Sequence, residues 1–142
     1  MHFKYDSILE IEYTLDEVDL IAKQIIENIT SKVILFNGEM GVGKTTLIKS
    51  LVKNIGSNDT VSSPTFSLVN EYKTDTDSIF HFDLYRIEEE EELYNFGIED
   101  YLITNHWIFV EWPEILLPLI ENNYNMVTLK AKNNLKRIIT LS

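Results

Sequence analysis

The sequence of 142 residues contains no cysteine, so it can form neither a disulfide framework nor a thiolate metal site. It also lacks a run of about 20 apolar residues, the length that a membrane-spanning helix requires. The first residues, 1–6, do not show the basic and then apolar profile of a signal peptide. From these absences we expect a cytoplasmic protein without a membrane anchor.

Basic residues are scarce relative to acidic ones. The chain has 12 Lys and Arg residues against 23 Asp and Glu residues, which gives a formal net charge of −11. A strongly acidic surface repels the phosphate backbone of nucleic acids, so tight direct binding of RNA or DNA is not expected. A role in RNA metabolism would therefore depend on partner proteins, although the acidity is explained equally well by solubility alone.

The length predicts one domain covering residues 1–142, and a content of 44% hydrophobic and 25% charged residues is ordinary for a folded protein. Apolar runs and alternations predict strands at residues 10–13, 33–36, 66–72, 79–84, 107–110, 126–131 and 137–141. Helical periodicity predicts helices at residues 18–29 and 47–55, and a third that opens at residues 88–92. Thr14 and Glu17 fit a capping box before the first helix, and Gly56 can end the second. Strands alternating with helices indicate α/β layers around a mixed sheet.

A glycine-rich segment at residues 38–45 fits the phosphate-loop pattern G-x-x-x-x-G-K-[ST]. Its residues are Gly38, Glu39, Met40, Gly41, Val42, Gly43, Lys44 and Thr45, and Thr46 follows. Glycines let the backbone wrap around phosphates with its N–H groups pointing inward, and the next helix directs its N-terminus at the same anion. In this pattern Lys44 reaches the β- and γ-phosphates, and the hydroxyl of Thr45 binds Mg²⁺. A glycine turn with an incidental lysine is disfavoured because the motif lies between a buried strand and an amphipathic helix. The segment predicts binding of a nucleoside triphosphate, ATP with Mg²⁺.

Two acids stand at the ends of apolar strands. Asp83 ends the strand at residues 79–83, as a Walker B acid does, and Glu111 follows the strand at residues 107–110. Ligands of α/β sheets bind at the carboxyl ends of strands, so the two acids could converge on Mg²⁺ or its waters. Each could instead be a solvated acid at a strand end.

Three further side chains have both a functional and a purely structural interpretation. Thr65 lies on the loop after the phosphate-loop helix, where switch loops of related folds sense the γ-phosphate, but it could be a turn hydroxyl. His81 could face the site or be hydrogen-bonded in the core. Trp112 could contact a ligand or partner, or anchor its loop by packing.

Several segments together resemble the bacterial TsaE family (also called YjeE), small P-loop ATPases of tRNA threonylcarbamoyladenosine biosynthesis. The matching segments are residues 38–46, 63–69, 81–86, 97–101 and 110–113. The sequences His-Phe-Asp-Leu-Tyr-Arg at residues 81–86 and Glu-Trp-Pro at residues 111–113 are the most specific of them. The resemblance implies a P-loop NTPase-like α/β fold, a three-layer sandwich with a mixed, mostly parallel central sheet. It also implies binding of ATP or ADP with Mg²⁺, weak intrinsic ATPase activity, action with the partner proteins TsaB and TsaD, and contact with tRNA only through that complex.

The resemblance also assigns roles to residues. Lys44, Asp83 and Glu111 correspond to catalytic positions, and Thr45, Asp83 and Glu111 to metal-site positions. The nucleotide would be bound by Gly38, Glu39, Met40, Gly41, Val42, Gly43, Lys44, Thr45, Thr46, Thr65, Trp112 and Arg137. Arg137 corresponds loosely to a basic residue near the adenine, and either Thr14 or Leu15 would line the base from the other side.

Three other functions are compatible with a phosphate loop. A small-molecule P-loop kinase usually carries a lid with several arginines, whereas Arg86 and Arg137 are the only arginines here. A GTP switch would need an Asn-Lys-x-Asp guanine reader, which the sequence lacks. Nucleotide binding could also serve only to order an interaction surface.

Overall fold

The computed structural model describes residues 8–62, 64, 68–121 and 123–142. Its strands are β1 (Leu9–Thr14), β2 (Val33–Asn37), β3 (Val69–Lys73), β4 (Ser78–Asp83), β5 (Trp107–Glu111), β6 (Asn125–Ala131) and β7 (Lys136–Leu141). Its α-helices are α1 (Val18–Asn28), α2 (Lys44–Ile55), α3 (Glu90–Asn95) and α4 (Ile98–Leu102). Short 3₁₀ helices lie at Leu15–Glu17, Pro113–Ile115 and Leu117–Leu119.

The strands form one sheet in the order β1-β7-β6-β2-β5-β4-β3. Its centre is parallel, because β2 pairs in parallel with β5 and β6, and β5 pairs in parallel with β4. Strand β7 is antiparallel to both β1 and β6, and β3 is antiparallel to β4. Among the described strands only β3 and β7 therefore run against the rest, which confirms a mixed, mostly parallel sheet.

Helices cover both faces of this sheet. Along β2, Ile34 and Phe36 pack with α1 and α2 in one core, whereas Val33 and Leu35 pack with α3 and α4 in the other. All four side chains are buried, as expected for a parallel central strand whose two faces are both covered. The three-layer sandwich is confirmed.

The parallel centre decides where a site can form. Phe36 and Asp83 each pair in register with Glu111, so the carboxyl ends of β2, β4 and β5 lie side by side at one edge of the sheet. The phosphate loop leaves β2 at this edge. Open α/β sheets bind ligands at such an edge, and here it carries both acids that the sequence singles out.

Most predicted element boundaries agree with the structure to within a few residues. The backbone N–H of Thr14 donates to Glu17 Oε1 at 2.8 Å. This is the bond between the N-cap backbone and the glutamate side chain that the predicted capping box requires. Gly56 ends α2 with a φ of 122°. The strand predicted at residues 66–72 is wrong at Leu68, because its φ of 67° is left-handed and cannot belong to an extended strand. Phe66 and Ser67 lie outside the described residues.

None of the helices in the described part of the chain has the length and apolar character needed to span a bilayer.

Candidate functional site

The phosphate loop depends on its glycines for its shape. Gly43 has a φ of 109° and occupies the N-cap of α2, a conformation that an L-residue with a side chain rarely adopts. A Cβ added to Gly38 would lie 2.9 Å from the carbonyl oxygen of Leu129, closer than real Cβ contacts. The N–H of Leu47 donates to the carbonyl of Gly43 at 3.0 Å, so the helix begins directly from the loop. The loop therefore leads into the free N–H groups at the N-terminus of α2.

Lys44 lies inside this loop and is only 6% exposed. Its Nζ donates to the carbonyl oxygen of Gly38 at 2.7 Å and lies 3.7 Å from the centroid of the Trp112 ring. Burial lowers the pKa of the Lys44 ammonium group, and the nearby carboxylates of Glu111 and Asp83 offset part of that effect. A phosphate anion at this position would compensate the desolvated charge.

Asp83 and Glu111 occupy neighbouring positions on β4 and β5 and are 9% and 5% exposed. Asp83 Oδ1 accepts the backbone N–H of Tyr85 at 2.9 Å. Glu111 Oε2 lies 2.7 Å from Nε2 of His81. Within the described residues, no group of three or more His, Cys, Asp or Glu residues could hold a metal ion. The two acids are thus buried side by side at the edge that carries the phosphate loop.

A cleft of about 450 Å³ brings most of the predicted site residues together. Its lining includes nine predicted residues: Met40, Gly41, Gly43, Lys44, Thr45, Thr46, Asp83, Glu111 and Trp112. Tyr85 and Arg86 complete the lining. These two were not predicted as site residues, although they belong to the segment at residues 81–86 that carried the resemblance.

The remaining predicted site residues lie elsewhere. Gly38, Glu39 and Val42 line a second cleft of about 550 Å³ between the phosphate loop and residues 128–131 of β6. Arg137 lines neither cleft. Its Nε donates to the carbonyl oxygen of Val42 at 2.9 Å, so this bond connects β7 to the phosphate loop. Thr65 lies outside the described residues. The contact of Arg137 with an adenine stays a prediction.

Trp112 lines both clefts. Its backbone is left-handed, with a φ of 54°, which costs of order 1 kcal/mol for a residue other than glycine. Its ring contacts the ammonium group of Lys44 and also the ring of Tyr85, at a centroid distance of 5.0 Å. Trp112 therefore serves both interpretations: its ring packs against Tyr85, and it lies beside the Lys44 ammonium group in the lining of the cleft.

His81 likewise combines both interpretations. It is 1% exposed and hydrogen-bonded, as a core histidine is, yet one of its partners is Glu111 in the cleft. Its other ring nitrogen, Nδ1, lies 2.9 Å from the hydroxyl of Tyr72 on β3. Tyr72 was missed in the sequence, since only the antiparallel pairing of β3 with β4 places it beside His81.

Comparisons with known proteins identify the family and the fold of the chain. The family model described as "Threonylcarbamoyl adenosine biosynthesis protein TsaE" matches residues 13–139. A Rickettsia typhi protein named tRNA threonylcarbamoyladenosine biosynthesis protein TsaE is 37% identical over 127 residues, which cover 88% of each chain. A Haemophilus influenzae protein of the same name is 39% identical over 111 residues, covering 72% of this chain and 70% of its own. The crystal structure of Bacillus subtilis YdiB superposes with a TM-score of 0.71 at 21% identity, covering 96% of this chain and 86% of that one, and so shares the fold. The chain belongs to the TsaE family.

Proposed function

We propose that this chain is a Mg²⁺-dependent ATP-binding protein with weak intrinsic ATPase activity that takes part in tRNA threonylcarbamoyladenosine biosynthesis. Membership of the TsaE family supports the role in tRNA modification. The observation that carries the nucleotide part is the meeting of Lys44, Asp83 and Glu111 in one cleft with the phosphate loop.

The cleft has the charges that a nucleoside triphosphate with Mg²⁺ needs. Lys44 and the N-terminus of the 12-residue helix α2 supply positive charge for the phosphates. Mg²⁺ usually binds proteins through one or two carboxylates, with phosphate oxygens and water completing its shell. Asp83 and Glu111 would supply the carboxylates and Thr45 a hydroxyl, and when bound Mg²⁺ would neutralise part of the phosphate charge. The donor set therefore fits the group.

Each residue has a task in this proposal. Lys44 binds the β- and γ-phosphates as a fixed cation, and the backbone N–H groups of the loop hold the phosphate chain. Asp83 keeps its orientation through its bond to the N–H of Tyr85 and holds the metal side of the cleft. Glu111 orients the attacking water, because its buried carboxylate is fixed by His81 beside the cleft. Trp112 shields Lys44 from bulk water.

Partners complete the proposal. The formal charge of −11 opposes direct binding to tRNA, so the chain would act on the modification through the partner proteins TsaB and TsaD. A slow intrinsic rate would suit a protein whose turnover is set by its partners, and a cytoplasmic location would place it with them.

The test is a hydrolysis and binding assay with purified protein. We expect slow phosphate release from ATP that requires Mg²⁺, a change of rate when TsaB and TsaD are added, and retention of the chain on immobilised TsaB–TsaD that depends on ATP. Absence of both release and partner binding would contradict the proposal. Efficient phosphoryl transfer to a small-molecule acceptor would instead favour a kinase.

A further inference from the structure

A chain of buried polar groups runs from Glu111 away from the cleft. Glu111 Oε2 lies 2.7 Å from Nε2 of His81, and the Nδ1 of that ring lies 2.9 Å from the Tyr72 hydroxyl. The Tyr72 hydroxyl lies 3.0 Å from the carbonyl oxygen of Ser62. Asn70 Nδ2 also donates to this carbonyl, at 3.1 Å. We call Tyr72 and His81 the relay pair.

The sheet explains why these groups meet. Along β4, His81 and Asp83 alternate with Phe82, so they point to the same face, and Glu111 on β5 shares that face. Tyr72 comes from β3, which is antiparallel to β4 and pairs with it in register. The relay pair is 1–2% exposed, and strands hold both backbones. Neither ring can turn freely in such a packed setting.

The hydrogen bond between His81 and Glu111 has a defined donor and acceptor. An ionised carboxylate only accepts hydrogen bonds, so Nε2 of His81 must carry the hydrogen that it shares with Glu111. Nδ1 then either accepts the single hydrogen of the Tyr72 hydroxyl, which is then not donated to Ser62, or donates to the hydroxyl oxygen while that hydrogen is donated to the Ser62 carbonyl. In both arrangements Glu111 receives a bond from Nε2, and the ring is held at both nitrogens.

This bond engages one oxygen of Glu111, and within the described residues it is the hydrogen bond that the carboxylate receives. A glutamate side chain has three rotatable bonds, and fixing it costs up to about 2 kcal/mol of rotamer entropy. A catalytic carboxylate must nevertheless be held in its productive geometry, and residues behind it normally provide that support.

We propose that His81 and Tyr72 are positioning residues for Glu111: the imidazole fixes the carboxylate that orients the attacking water, and the Tyr72 hydroxyl fixes the imidazole. The inference rests on the proposed ATPase function. Neither residue touches the substrate in this account. Their loss lowers kcat and leaves the affinity for ATP measured without Mg²⁺ unchanged, because Lys44 and the phosphate loop are untouched.

Matched substitutions separate positioning from packing. In His81→Gln the amide nitrogen can reach the place of Nε2 and still donate to Glu111, whereas in His81→Asn the shorter amide can only replace Nδ1. Tyr72→Phe removes one hydroxyl and keeps the ring. Tyr13→Phe is the control, because Tyr13 is 2% exposed in the same core and its hydroxyl has no hydrogen-bond partner within the described residues.

We expect His81→Asn to lower kcat on the order of 10–100-fold, the usual effect of removing a residue that orients a metal-site ligand. Tyr72→Phe should lower kcat by a smaller factor, His81→Gln should recover most of the loss, and Tyr13→Phe should match the wild-type protein. The Kd for ATP measured without Mg²⁺ should stay constant, and unfolding curves should show that each variant folds. Equal losses in the Gln and Asn variants, an unchanged kcat in both, or a parallel change of the Kd for ATP without Mg²⁺ would overturn the inference.

A second measurement needs neither variants nor hydrolysis. A long-range ¹H–¹⁵N correlation spectrum of the wild-type protein with ¹⁵N-labelled histidine reports which ring nitrogens carry hydrogen. We expect Nε2 of His81 to be protonated. A ring protonated at Nδ1 alone would exclude donation from His81 to Glu111 and would overturn the inference. If the wild-type protein hydrolyses no ATP, the proposed function fails. The spectrum still decides whether the relay pair donates a hydrogen bond to Glu111.

Discussion

The ammonium nitrogen of Lys44 lies 3.7 Å from the centroid of the Trp112 ring and 2.7 Å from the carbonyl oxygen of Gly38. A cation over an indole face is attracted by the ring quadrupole, most strongly where water is excluded. The loop cation is therefore held in place by the protein itself. Because the ammonium group is already held in position, the binding of a phosphate costs less conformational entropy at this side chain.

The first prediction concerns this cation. Lys44→Ala removes a charged donor to the β- and γ-phosphates, and hydrogen bonds to charged groups are worth about 1.5–3 kcal/mol. We expect ATP affinity to fall on the order of 10–100-fold, measured by titration calorimetry, while the protein stays folded. Lys49→Ala is the matched control, because Lys49 lies on the same helix with an exposed side chain. Equal affinity in the Lys44 variant and the wild-type protein would remove Lys44 from the site.

The second prediction concerns the metal side of the cleft. Asp83→Asn keeps an oxygen that can accept the N–H of Tyr85, but it removes the negative charge. We expect ATP affinity in the variant to lose its dependence on Mg²⁺, because the hard cation loses a carboxylate ligand. Titrations of ATP with and without Mg²⁺ measure this. The exposed Asp100→Asn on α4 should behave as the wild-type protein does, and Mg²⁺ dependence surviving in Asp83→Asn would exclude Asp83 as a ligand.

The third prediction concerns the stability of the fold in acid. It depends on a charged cluster at the amino ends of β2, β4 and β5, at the opposite end of these strands from the cleft. Asp77 pairs with Lys32 Nζ at 3.0 Å and with His106 Nδ1. Burial alone would raise the pKa of Asp77, but the hydrogen bonds from His106 and Lys32 outweigh it and lower the pKa from 3.8 to about 2. A pKa lowered by folding stabilises the native state above the unfolded-state value, and this stabilisation is lost as the pH falls towards the folded-state value.

We therefore expect the free energy of unfolding to fall between about pH 4 and pH 2, and to fall less steeply in Asp77→Asn. Chemical denaturation at a series of pH values measures both slopes. Asp75→Asn, an exposed substitution in the same turn, should keep the wild-type slope. Parallel curves for the wild-type protein and Asp77→Asn would show that the cluster does not titrate as the contacts imply.

The features that could be predicted from the sequence depend on residues close together along the chain. The phosphate loop, the buried run at residues 33–36 and the strands at residues 126–131 and 137–141 are local patterns, and the structure has a loop or strand at each place. Asp83 and Glu111 were correctly placed at strand ends. Their meeting could be expected because the carboxyl ends of parallel strands share one edge of a sheet.

Features that depend on strand pairing or on special backbone angles could not be predicted. The contact of Tyr72 with His81 needs the register of β3 on β4, and hydrophobic alternation does not contain that register. The left-handed backbone of Leu68 and Trp112 runs against the preference of both residues, and only tertiary packing can impose it. Helix α4 is only five residues long, too short to show a period.

The most direct test of the account compares phosphate release from ATP by the wild-type protein and by Glu111→Gln in single-turnover experiments with Mg²⁺. The glutamine keeps the size of the side chain and removes the carboxylate that would orient water. We predict slow release by the wild-type protein, and ATP binding without release by the variant. Equal release by the two proteins, or no release by the wild-type protein, would contradict the assignment of this cleft as an ATP-hydrolysing site.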